Sequence, residues 1–237
     1  MSEPADTQAK LSAATLVRLL QGFYSIFWGL ILTAVAAAHL LAGSVLAPTR
    51  TSGFDIGLLA FGLAAVLIGS WRLWRVRLSG NDAWRVRTET LLGAAAALAY
   101  FAVFFCAWRH VPWNEYLLAN ALAFLGAGVV YTVLLNCSVN ALAAAIGRRD
   151  LAVESKWYNA GSVAFLLLPL IGALVYAFGA AAAKHTGVIS EIIWLADQTN
   201  IVVVGILLLP FSLTLSLVWA AKDVLLGLLS ATNASAD

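Results

Sequence analysis

The sequence predicts an all-α, polytopic transmembrane bundle: six spanning helices, both termini cytoplasmic, and short interfacial helices at the edges. Three observations predict it. Six apolar runs of roughly 20 residues follow one another, the length a helix needs to cross the hydrocarbon core. Charged residues make up only 11% of a chain that is 62% hydrophobic, with mean hydropathy +0.89; soluble domains carry about 25%. The loops between the runs alternate between rich and poor in Lys and Arg. The runs are continuous in Ala, Leu, Val and Gly. They therefore satisfy their backbone hydrogen bonds as helices, not as the alternating strands of a barrel.

Residues 1–10 read as a polar lead, and Glu3 and Asp6 with no small-residue cleavage site argue against a cleavable signal peptide. Leu16, Val17, Leu19 and Leu20 surround Arg18, a pattern that predicts a short interfacial helix before the first span. Span one is placed at Phe23–Leu46, closed by Pro48, and span two at Ile56–Leu73. Span three covers Leu91–Trp108, span four Tyr116–Leu142, span five Asn159–Ala182 and span six Thr199–Ala221. Between spans five and six, Val188, Ile189, Ile192, Ile193 and Trp194 predict a second short helix lying along the outer interface. The chain thus divides into a cytoplasmic lead (1–22), a membrane domain (23–221) and a cytoplasmic tail (222–237) that frays from Ala231. The Asn233-Ala234-Ser235 sequon in that tail is read as chance.

Orientation follows from counting basic residues. The lead, the span 2–3 and 4–5 loops and the C-terminal end hold Lys10, Arg18, Arg72, Arg75, Arg77, Arg85, Arg87, Arg148, Arg149, Lys156 and Lys222. The other loops hold only Arg50, Arg109 and Lys184. That excess places both termini inside, in a membrane of the bacterial inner-membrane type. Trp71, Trp74, Trp84, Trp157 and Trp219 then fall at inner ends and Trp108, Trp113 and Trp194 at outer ends, an aromatic belt that only Trp28 fits poorly.

Small residues recur at every fourth position: Ser25, Gly29, Thr33 and Ala37 in span one, Ala65 and Gly69 in span two, Gly93 and Ala97 (with Ala95 and Ala99) in span three. Such stripes predict close helix contacts in lipid. The span 2–3 loop repeats Trp74-Arg75-Val76-Arg77 as Trp84-Arg85-Val86-Arg87 around Ser79-Gly80-Asn81-Asp82. It reads as two helix ends running into the cytoplasm, with Asn81 or Asp82 as N-cap, in preference to a hairpin. Arg72, Arg75, Arg77, Arg85 and Arg87 make loop 72–90 a contact for anionic lipid or an acidic partner.

The remaining candidates are sparse. Pro169 and Pro210 lie near the centres of spans five and six and free the carbonyls of Phe165 and Ile206. Broken helices at the midplane bind solute in many transporters, so Pro169, Pro210, Ser212 and Ser216 outline a substrate path. His39, His110 and His185 all map to the outer half, where they are candidate ligands for a metal, and His39 with His110 for a haem. Asn136 and Asn140 share one face of span four, where amides bond across to another helix. Cys106 and Cys137 read as small apolar fillers too far apart for a disulfide. No phosphate loop, His-Glu-x-x-His or Cys-x-x-Cys motif is present, and a net charge of +2 gives no support for nucleic acid. The expected function is a non-catalytic subunit or scaffold of a membrane complex, with protein partners or copies of itself and no cofactor. The alternatives are a small transporter or channel for a neutral solute, or a haem- or metal-binding redox subunit.

Overall fold

The computed structural model describes residues 11–46, 53–78, 82–111, 113–185, 187–197 and 201–234. Seven α-helices account for nearly all of them: α1 (Ala13–Leu46), α2 (Gly53–Arg75), α3 (Asp82–His110), α4 (Glu115–Ala145), α5 (Arg149–Lys184), α6 (Val188–Asp197) and α7 (Ile201–Ala234). Five of these, α1, α2, α3, α4 and α7, are long and apolar enough to cross a membrane. The chain is a multi-pass helical membrane protein. α5 is one unbroken helix of 36 residues, about 54 Å at 1.5 Å per residue, although its described apolar stretch, Ile171–Lys184, is short.

The helices close a ring in the order α1, α2, α3, α4, α5, α7, with α7 returning to α1 and also touching α4; α6 lies on α5. Large apolar side chains around the outside, among them Phe54, Phe61, Val103, Leu168 and Val175, are two-thirds or more exposed. That surface suits lipid tails. Inside, Phe23, Ile26, Leu73, Trp84, Leu91, Tyr131, Leu135 and Leu142 are almost wholly buried.

α1 and α2 form an antiparallel pair whose axes approach as closely as backbones allow. A Cβ on Gly29 would lie 2.7 Å from the Val66 nitrogen, one on Gly62 2.8 Å from the Thr33 nitrogen, and one on Gly69 2.7 Å from the Gly22 carbonyl oxygen. Only hydrogen fits at these crossings. The contact residues Gly22, Gly29, Gly62 and Gly69 repeat at seven, not four. The expected stripe therefore holds at Gly29, Thr33 and Gly69, whereas Ser25, Ala37 and Ala65 sit at its margin, half-buried. In α3 it is Ala95 that is buried; Gly93 is exposed and a Cβ there would meet nothing.

Three boundaries differ from expectation. No separate interfacial helix precedes span one: residues 13–22 are the first turns of α1, with Leu16 and Leu19 buried in the main core. Gly22 does not break the helix, because it is the residue against which Leu73 packs. α7 continues through Ala231 to Ala234, with Leu225 fully buried in the same core, and the rest of the tail expected to fray lies outside the described residues. Both extensions contribute apolar side chains to that one core. Finally, α2 stops at Arg75 and α3 begins at Asp82, so Trp84–Arg87 is helical as expected while Val76 and Arg77 already lie in the link. The calls on Pro48, Arg50, Ser79, Gly80 and Asn81 fall outside the described residues.

The turns follow from local chemistry. Asn114 caps α4 by accepting a 3.1 Å hydrogen bond from the Leu117 amide. α4 ends on Gly147 at φ 73°, with the Arg148 amide donating to the Ala143 carbonyl at 2.9 Å, a glycine-closed C-terminus. Arg148 then opens α5 and grips Asp150 through two hydrogen bonds of 3.1 and 2.7 Å.

Candidate functional site: a basic groove at one end of the bundle

The end that carries the start of α1, the finish of α2 and the start of α3 holds a groove of about 690 Å³. Arg18 enters it from α1, Arg75 from the last position of α2, Arg77 from the link that follows, and Arg85 from the first turn of α3. All four are exposed, while Val76, Leu78 and Trp84 at its base are buried. The Trp84 indole donates to the Val76 carbonyl at 2.9 Å, which locks the link back onto α3 and sets the groove's shape. Among the described residues Asp82 is the one acidic residue in the lining. Four arginines against one aspartate leave three net positive charges. Among the described residues none of the four guanidiniums has a carboxylate within salt-bridge distance; Arg75 instead stacks 4.1 Å over the Trp71 ring.

The five loop arginines therefore divide by task. Arg72 turns inward to α1, donating to the Ser25 hydroxyl at 3.2 Å and reaching the Gln21 carbonyl at 3.5 Å. Arg87 donates at 2.7 Å to the Cys137 carbonyl of α4. These two tie helices together. Only Arg75, Arg77 and Arg85 line the groove, joined by Arg18, whose role was hidden because it lies 57 positions before Arg75. The signal was present: Arg18 is the one cation among the apolar positions of the lead, on the face that α1 turns away from Leu16 and Leu19.

Inside the bundle, polar groups pair across helices. Tyr131 of α4, fully buried, shares a 3.0 Å hydrogen bond with Ser70 of α2. Asn136, one turn on, is buried with neither amide atom bonded among the described residues, and Asn140 is half-buried. The expected bond from Asn136 to another helix is not made there. A cavity of about 100 Å³ lies beside Tyr131, lined by Thr33, Leu98, Phe124, Gly128 and Phe211 among others. The Thr33 hydroxyl, also buried, has no hydrogen-bond partner among the described residues.

Pro210 lies within α7. Its own carbonyl accepts from the buried Ser162 hydroxyl of α5 at 3.4 Å, and Ser162 is 3.5 Å from the Thr214 hydroxyl. The side chains that meet at this crossing are thus Ser162 and Thr214. Ser212 and Ser216 are exposed on the other side of α7, and Ser212 donates back to the Leu209 carbonyl. Pro169 lies within α5, with its side chain outside the described set.

The histidines are not brought together as a ligand set. His39 of α1 pairs at 3.0 Å with Asp55 of α2, a buried carboxylate, and so fastens the far end of that hairpin. His110 is the exposed last residue of α3. His185 closes α5 in the left-handed conformation, φ 55°, its amide donating to the Ala181 carbonyl. Among the described residues no three His, Cys, Asp or Glu side chains gather as a metal would need. Cys106 and Cys137 are both free thiols. At the same far end, α6 is held to α5 by Lys184 and Glu191, 3.0 Å apart, and by Trp194 stacked on Tyr176.

No protein-family model, curated protein or solved structure matches this chain.

Proposed function

We infer that the protein is a non-catalytic subunit or scaffold of a membrane complex, spanning the bilayer six times with both termini and the arginine groove on the cytoplasmic side. The observation that carries this reading is the division of the polar side chains. Four polar contacts tie the helices of the bundle to one another: Ser70 with Tyr131, Ser162 with the Pro210 carbonyl, Arg72 with Ser25, and Arg87 with the Cys137 carbonyl. The side chains at the groove, four arginines beside the single described carboxylate of Asp82, make no described ion pair. A body fastened in this way, and close-packed along a glycine seam, is suited to holding a fixed shape in lipid rather than to opening and closing around a solute.

The inner-side orientation rests on the loop charges, eleven basic residues against three. The reading of α5 as span five, which brings the crossings to six, rests on its length and on its packing between α4 and α7. Purification from native membranes in mild detergent tests the reading. A stoichiometric partner, or a homo-oligomer, is expected. A monodisperse monomer with no partner, seen also after cross-linking in intact membranes, would count against it.

A further inference from the structure

We propose that the basic groove is a headgroup site for an anionic phospholipid of the cardiolipin class, with its phosphates among Arg18, Arg75, Arg77 and Arg85. The proposal rests on the reading of this end of the bundle as the cytoplasmic one, where anionic headgroups lie. Guanidinium groups fit phosphate oxygens two at a time and lose less hydration than ammonium groups in doing so. Three net positive charges exceed the two of a diphosphatidyl headgroup, so the complex does not bury excess negative charge. The first turn of α3 lines the same groove, adding the positive end of a 29-residue helix.

Depth argues for a lipid over an acidic peptide. The groove begins where the apolar run of α2 ends, beside Trp71 and Trp74, each about 40% exposed, at the level where tryptophan meets headgroups. Its base is apolar, through Val76, Leu78 and Trp84, and Val86 on the neighbouring turn is 60% exposed. An acyl chain leaving the groove would find an apolar surface continuous with the lipid-facing helices. A peptide would have to cover that surface or leave it bare.

The test is native mass spectrometry of the full chain released from mild detergent after incubation with cardiolipin or phosphatidylcholine of matched acyl chains. Cardiolipin adducts are expected to survive activation that strips phosphatidylcholine. Each groove arginine changed to Gln should weaken cardiolipin binding about fivefold, and all four together by several hundred-fold. Replacement by Lys should restore much of the loss, because the charge returns. Arg72→Gln and Arg87→Gln should keep the adducts, since those side chains face helices. Arg18→Gln alone guards against misfolding, as Arg18 is exposed and makes no described hydrogen bond.

Equal adducts on the fourfold Gln variant would overturn the proposal, as would a wild type that holds both lipids alike. An acidic peptide that displaces cardiolipin from the wild type would reassign the groove to a protein partner. Loss of lipid adducts with a copurifying partner retained would leave the scaffold reading standing, so the two failures are separable.

Discussion

Gly29→Ala should destabilise the bundle although alanine is the better helix former. The added methyl would sit 2.7 Å from the Val66 nitrogen, 2.8 Å from the Gly62 carbonyl oxygen and 2.8 Å from Val66 Cγ2. Ordinary contacts of this kind are about 3.5 Å, so α1 and α2 must part by roughly 0.7 Å at the crossing. Two of the three obstructing atoms are backbone and cannot rotate away. Overpacking of this kind costs about 1–3 kcal/mol, and Gly→Ala in a helix returns at most ~1 kcal/mol. With two backbone atoms in the way the cost falls toward the upper part of that range, so the balance is a loss of up to about 2 kcal/mol. Gly93→Ala is the control, because a Cβ there meets nothing within 4 Å; it should be neutral or slightly stabilising. Reversible unfolding in mixed micelles, titrated with a denaturing detergent, measures both. Equal stability of the two variants would refute the close-packed seam.

Tyr131→Phe leaves the buried Ser70 hydroxyl without its 3.0 Å partner and should cost about 1 kcal/mol in the same titration. Asn136→Leu should be neutral or stabilising there, since it removes a buried amide with no described bond; a clear destabilisation would show that the amide is satisfied. Arg87→Ala removes a charged donor from the Cys137 carbonyl and should loosen α3 from α4 by about 1–2 kcal/mol, read as faster cross-linking or proteolysis at that pair. The Asp150 carboxyl is pulled down to about 2, chiefly by its hydrogen bond from Arg148. A depressed carboxyl stabilises above its unfolded value of ~3.9 and loses that contribution as pH falls through its folded value. Wild type and Asp150→Asn should therefore differ slightly in melting temperature at neutral pH and converge between about pH 4 and 2; a difference that persists at the acid end would contradict the pairing.

The sequence announced the helices because lipid imposes a strong and simple requirement on composition. Length and continuity of apolar runs were enough to locate the six long helices among the described residues, and a cluster of apolar residues pointed to the short α6. What composition could not reveal was phase. Small residues are abundant in Ala-rich helices, and only the opposing helix decides that Gly22 and Gly62 are crossing points while Gly93 faces outward. The same limit applied to the arginines. A run of like charges in a loop reads as one cluster, yet Arg72 and Arg87 point into neighbouring helices and Arg18 comes from another segment to take part. The helical extent of residues 13–22 and 222–234 was hidden for a related reason: each looks too polar to span, yet Leu16, Leu19 and Leu225 belong to the same buried core.

The central claim, six spans with the arginine groove on the cytoplasmic side, is tested most directly by the sidedness of α5. With Cys106 and Cys137 replaced by Ala, single cysteines at the exposed positions Ala83, Val111, Arg149, Ser190 and Ala231 can be labelled with a membrane-impermeant maleimide in intact cells. Six crossings predict that Val111 and Ser190 label from outside while Ala83, Arg149 and Ala231 label only after the membrane is opened. If α5 does not cross, Ser190 will be protected along with Arg149, and Ala231 will label from outside. That pattern would contradict the account.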